Sequence, residues 1–86
     1  MHIRLHTRDG QYFEMSGESH QVALVVKDVP RTTNPAYRDV VAISVEDPTT
    51  VPSELEEGTF FEVWNRETGF DSATVSKMNE LYGLPV

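Results

Sequence analysis

The chain has 86 residues, no cysteine and a net charge of −7. That length makes one domain at most, burying only roughly 60–65% of its unfolded surface. The missing cysteines exclude disulfide staples and thiolate metal sites, as suits a reducing compartment, and the carboxylate excess argues against direct binding to a phosphate chain.

The first sixteen residues alternate apolar and polar side chains and read as a β-hairpin, with strands at about 2–8 and 11–17. Two turns compete. A two-residue turn at Asp9-Gly10 sets Leu5 opposite Glu14 and Ile3 opposite Ser16, which wastes a sheet face. A three-residue loop, Arg8-Asp9-Gly10, uses Gly10 in the left-handed conformation as a G1 bulge. Leu5 then faces Phe13, Ile3 faces Met15 and Arg4 faces Glu14, so every pair is chemically matched. The three-residue loop is expected. It leaves one apolar face (Ile3, Leu5, Phe13, Met15) and one wet face (His2, Arg4, His6, Tyr12, Glu14).

Further along, "QVALVVKD" (21–28) is apolar on both faces, as a central strand would be. "VPRTTNPAYR" (29–38) holds two prolines and an asparagine and reads as a loop. "DVVAISVE" (39–46) is another strand and "DPTTVP" (47–52) another loop. Ser53 and Glu56 form a capping box that Gly58 ends, so 53–58 reads as one helical turn. "TFFEVWN" (59–65) then has strand-type residues throughout. The alternative is a single helix from Ser53 to about Glu67, which places Gly58 in its interior at a cost of about 1 kcal/mol. Asp71 or Ser72 caps a helix at about 72–82, whose Val75, Met78, Leu81 and Tyr82 recur at helical spacing before Gly83 and Pro85. The expected fold is α+β: an antiparallel sheet of four or five strands with one C-terminal helix packed on one face, in a single domain spanning 1–86.

Catalytic and metal motifs are missing. His2 and His6 share a strand face but stand about 13 Å apart at a rise of about 3.3 Å per residue, too far for one ion. His20 has no acid or histidine at helical spacing. Glu54, Glu56 and Glu57 cluster, but acid–base work needs a desolvated cleft that so short a chain has little room to build. No nucleophile elbow, Walker loop or zincin helix occurs. The chain reads as a non-enzyme without a cofactor. Its longest apolar runs, 22–26 and 40–43, fall far short of the about 20 residues that span a bilayer, so a cytoplasmic setting is expected.

"TGFDSATVSKMNELYGL" (68–84) resembles the second half of a helix-turn-helix, with Gly69 as the turn glycine, Phe70 after it, and Val75 and Met78 as core positions. The resemblance implies a groove-facing surface of Ser72, Thr74, Ser76 and Lys77, and requires "FFEVWNRE" to be helical. The sequence departs from the motif at Asn65 and Thr68, where a small and an apolar residue are usual. A capped amphipathic helix lying on a sheet accounts for the same residues.

The charge lies almost wholly in the second half. Residues 1–43 are neutral, whereas 44–86 carry the acids Glu46, Asp47, Glu54, Glu56, Glu57, Glu62, Glu67, Asp71 and Glu80 against Arg66 and Lys77 alone. If Glu46, Asp47, Glu54, Glu56, Glu57, Glu62 and Glu67 share a face, they form an acidic surface suited to a basic site on another protein. The loop at 29–38 offers Arg31, Tyr37 and Arg38, residue types enriched at binding hot spots. On a strand Phe60 and Trp64 share a face with Glu62, opposite Phe61 and Val63, as an aromatic contact beside the acids. These features point to a small acidic protein-binding module, of the kind phages and mobile elements use to inhibit a host nucleic-acid-handling protein by presenting an acidic surface. A DNA-binding regulator using 69–82, or a structural subunit of a virion or larger assembly that forms a homo-oligomer through an edge strand such as the first hairpin, are the alternatives.

Overall fold

Residues His2–Thr7 (β1) and Tyr12–Ser16 (β2) are joined by the three-residue loop Arg8-Asp9-Gly10, which the Thr7–Gln11 pair closes. The register sets Ile3 opposite Met15, Arg4 opposite Glu14 and Leu5 opposite Phe13, and Gly10 takes φ +83°. The amide of Thr7 donates to the Gln11 carbonyl at 2.9 Å and that of Gly10 to the Thr7 carbonyl at 3.1 Å, as a G1-bulged turn requires. The Thr7 hydroxyl and the Gln11 amide both donate to the Asp9 carboxylate, filling the loop's polar interior.

The chain continues through α1 (Ser19–Asp28), a 3₁₀ turn (Pro35–Tyr37), β3 (Val40–Glu46), β4 (Phe60–Asn65), β5 (Gly69–Phe70) and α2 (Ser72–Tyr82). This computed structural model describes residues 1–49 and 58–85. Five strands form one antiparallel sheet in the order β2-β1-β3-β4-β5. Ile3, Leu5, Ile43 and Val45 share one sheet face and are fully buried there. They join Val22, Ala23 and Val26 of α1 and Met78 of α2 in a single core, so both helices cover the same face. No helix among the described residues is long and apolar enough to cross a membrane.

Residues 21–28, which read as a central strand, are instead the body of α1. Val22, Ala23 and Val26 are buried while Leu24 is 59% exposed, a helical spacing that strand alternation would not give. A five-residue apolar run has no visible period, and other groups decide the outcome. The Glu18 carboxylate caps the helix by accepting from the amides of His20 and Gln21 at 3.0 and 3.3 Å. Both flanks of β1 are filled by β2 and β3, which leaves the segment no ladder beside β1. The fifth strand is β5, a two-residue element that the sequence did not announce. Residues 29–39 accordingly connect a helix to a strand rather than two antiparallel strands.

The C-terminal helix begins and ends where its signals stand. The Asp71 carboxylate accepts from the amides of Ala73 and Thr74, and Gly83 closes the helix at φ +62°. Before it, residues 60–65 are extended, so the single helix from 53 to 67 does not form; of the expected turn at 53–58, all but Gly58 lies outside the described residues.

Between β3 and β4 the register slips: Ile43 faces Trp64 while Ser44 faces Glu62, leaving Val63 as an extra residue. Val63 and Trp64 then both turn inward, at 0% and 5% exposure.

Candidate protein-binding face

Helices cover one side of the sheet, and among the described residues no helix covers the other. A row of side chains crosses this open face in register: Glu14 on β2, Arg4 on β1, Ser44 on β3 and Glu62 on β4. Period-two alternation puts them there, because the odd-numbered neighbours Ile3, Leu5, Ile43 and Val45 are drawn into the core. Beside this row lie His6, Tyr12 and Ala42 on one flank and His2, Glu46 and Phe60 on the other.

Arg4 organises the face. Its Nε donates to Glu14 Oε1 at 3.0 Å. Its guanidinium carbon lies 4.0 Å from the Phe60 ring centre and 4.6 Å from that of Tyr12, both within cation–π range. His2 Nε2–H donates to the second Glu14 oxygen at 3.0 Å, and its other ring nitrogen lies 3.7 Å from Glu46 Oε2. The His2 ring meets Phe60 edge-on at 5.6 Å, and His6 shares a 3.1 Å hydrogen bond with the Ser44 hydroxyl. The hydrogen bond from Arg4, helped by that from His2, holds the Glu14 carboxyl below the usual carboxylate range. The acid is thereby fixed in its charged form and in one orientation.

The expected acidic surface is only partly brought together. Glu46 and Glu62 stand on the open face, at the ladder positions opposite Phe60 and Ser44. Asp47 turns toward α2, where Lys77 Nζ lies 3.6 Å from its carboxylate and 4.5 Å from the Phe61 ring. Hydrogen bonds from the Thr49 hydroxyl and amide, followed by the Lys77 charge, lower the Asp47 pKa. Glu67 sits at the opposite end of β4, in the exposed turn before β5. Glu54, Glu56 and Glu57 lie outside the described residues.

The loop and the aromatic pair also divide. Tyr37 packs against the core, while Arg31 and Arg38 are exposed, Arg38 just before β3 at the end of the sheet far from Glu46. The Arg38 carbonyl accepts from Arg66 Nη2 at 3.4 Å, and Arg66 Nε donates to the Val40 carbonyl at 3.0 Å, tying the end of β4 to the start of β3. Phe60 keeps its place beside Glu62. Trp64 does not, because the bulge at Val63 rotates it onto the helix side.

Residues 60–65 and 69–70 are strands, so α2 has no partner helix directly before it and the helix-turn-helix is not formed. Among the described residues no three His, Cys, Asp or Glu side chains are placed to hold a metal ion.

Sequence reasoning placed His2, Arg4, His6, Tyr12 and Glu14 on a wet strand face without reading them as a site. The available signal was the match of that face to Ser44, Glu46, Phe60 and Glu62 on later strands, which only the strand order reveals. Compared with known protein families, curated proteins and solved structures, the chain matches none.

Proposed function

We propose that this protein is a binding module that docks the open face of its sheet on a basic surface of another protein. The observation that carries this reading is the fixed charge row on that face: Glu14, held ionised by Arg4, in register with Ser44 and Glu62 and flanked by Glu46. Arg and aromatic side chains are favoured at the centres of interfaces, and Arg4 with Tyr12 and Phe60 supplies both. The bases Arg8, Arg38 and Arg66 gather at the other end of the sheet, away from Glu46 and Asp47, so the acids of the open face are separated from them.

Complementary charge of this kind speeds association and suppresses wrong partners more than it deepens affinity. The fullest form of the proposal makes the partner a nucleic-acid-handling protein in the cytoplasm, whose phosphate-binding surface the carboxylates occupy. The module then inhibits without doing chemistry, as a phage or mobile-element accessory protein would.

Affinity capture from the source cell or its host, followed by titration of the recovered partner, tests this. The double variant Glu46→Gln with Glu62→Gln should weaken binding and reduce its salt dependence. Glu80→Gln, on exposed α2, should leave both unchanged. Equal binding by the sheet-face variant, or binding of the wild-type protein to bare duplex DNA at ordinary salt, overturns the proposal.

A further inference from the structure

The sheet ends in two unequal edges. On one side lies β5, two residues long and containing Gly69 at φ +80°. On the other lies β2, five residues long, with no strand beyond it among the described residues. The backbone direction along β2 follows from its two ends. Thr7 bonds to Gln11 across the turn, and Met1 and Gly17 exchange bonds at 2.9 and 3.2 Å. Antiparallel ladders alternate, so the odd positions of β2 bond to β1 and the amides and carbonyls of Tyr12, Glu14 and Ser16 point outward. No proline, lysine or bulge shields them, the devices by which edge strands are usually blunted. Two large hydrophobic side chains stand on this same strand, Tyr12 at 48% and Phe13 at 40% exposure.

We infer that β2 pairs antiparallel with β2 of a second copy of this chain, joining two sheets into one of ten strands about a two-fold axis at Phe13. This inference stands independently of the proposed function. A second copy is the occupant because one bare edge is self-complementary under a two-fold axis, whereas β5 is too short to receive β2 head-to-tail. The register follows from the outward positions. Centring on Glu14 sets two carboxylates face to face, and centring on Met15 leaves Phe13 beside Gly17. Centring on Phe13 sets Phe13 against Phe13 on the helix side and Tyr12 against Glu14 on the open side. That last pairing extends the row Arg4–Glu14 into the phenol of the second copy, so both faces of the junction are matched.

Phe13 would then occupy a non-hydrogen-bonded pair, with α-carbons about 4.5 Å apart, within disulfide range. The native chain contains no cysteine, so Phe13→Cys supplies a single thiol. Mild oxidation of dilute protein should convert it into a covalent dimer, while Phe70→Cys, on the other edge, stays monomeric. Sedimentation equilibrium of the wild-type protein should show its mass doubling as concentration rises. Glu14→Pro removes an outward amide and keeps the backbone bonds to β1, losing the side-chain bonds from Arg4 and His2, and should return the protein to monomer while circular dichroism still shows the folded protein. A wild-type protein that is monomeric at every concentration, equal cross-linking of the two cysteine variants, or a dimer that survives in folded Glu14→Pro overturns the inference.

Discussion

Trp64 faces Ile43 across the β3–β4 ladder, although Glu62, two residues earlier, faces Ser44 on the opposite side of the sheet. Simple alternation would have kept Trp64 and Glu62 together. The extra residue, Val63, breaks the phase and sends the largest side chain of the chain into the core while its neighbours keep the acid outside. One inserted residue thus decides whether the tryptophan serves the open face or the interior.

Replacing Trp64 by Ala should therefore destabilise the protein by about 3–5 kcal/mol, the usual cost of emptying a buried aromatic site. Urea denaturation followed by circular dichroism measures this. In the wild-type protein the emission of this single tryptophan should begin blue-shifted and move red in step with loss of secondary structure. A change under about 1 kcal/mol, at the level of surface substitutions, would place Trp64 at the surface instead.

The two sides of α1 give a sharper contrast. Val26 is 1% exposed, and Val26→Ala removes two carbons from the core, at a cost of about 2 kcal/mol. Leu24, only two residues away, is 59% exposed. Leu24→Lys should change stability by no more than about 0.5 kcal/mol. In a strand Leu24 and Val26 would share a face and respond alike, so paired denaturation curves distinguish the two structures directly.

That contrast also shows where the sequence was readable. The hairpin was legible because its two candidate turns set different residues opposite one another, and only one left Leu5 and Ile3 with apolar partners. The C-terminal helix was legible because Asp71 and Gly83 mark its ends chemically and Val75 and Met78 recur between them. Residues 22–26 were not: five apolar residues in a row carry no phase, and the Glu18 cap is a weaker signal than Asp or Ser. The binding face was half legible. Its β1 and β2 members follow from alternation alone, but its meeting with Ser44 and Glu62 depends on β3 lying beside β1, a fact of topology. Trp64 was misplaced because a bulge is an insertion in register, and a strand carrying one looks the same in sequence as a strand without.

Gly10 tests the turn itself. At φ +83° an L side chain is strained, although nothing stands within 4 Å of where a Cβ would sit. Gly10→Ala should cost about 1 kcal/mol, all of it conformational, and Gly10→Asn less, since asparagine tolerates the left-handed region better. Thermal unfolding of the three proteins should rank them Gly, Asn, Ala. If alanine were neutral, the loop would not be using the left-handed conformation.

The pH dependence of stability follows from Glu14. Its carboxyl titrates below the usual range because Arg4, and secondarily His2, hydrogen-bond the charged form. A group whose pKa is lower folded than unfolded binds fewer protons in the native state at intermediate pH. Its stabilising contribution is complete above the unfolded value, about 4.3 for a glutamate, and disappears as pH falls through the folded value. Asp9, Glu18 and Asp47 are shifted the same way by their own hydrogen bonds, so the wild-type protein should lose stability steadily on acidification below about pH 4–5. Glu14→Gln cannot titrate at this position. Its unfolding midpoint should lie below the wild-type value at pH 7 and the gap should narrow at pH 3, whereas the gap for Arg4→Gln should narrow only in part, because the contacts of Arg4 with Phe60 and Tyr12 do not titrate. Urea midpoints for the three proteins at the two pH values measure this. A constant gap between wild type and Glu14→Gln at both pH values would mean that the carboxylate's charge contributes nothing to the fold and that Arg4 holds it only by shape.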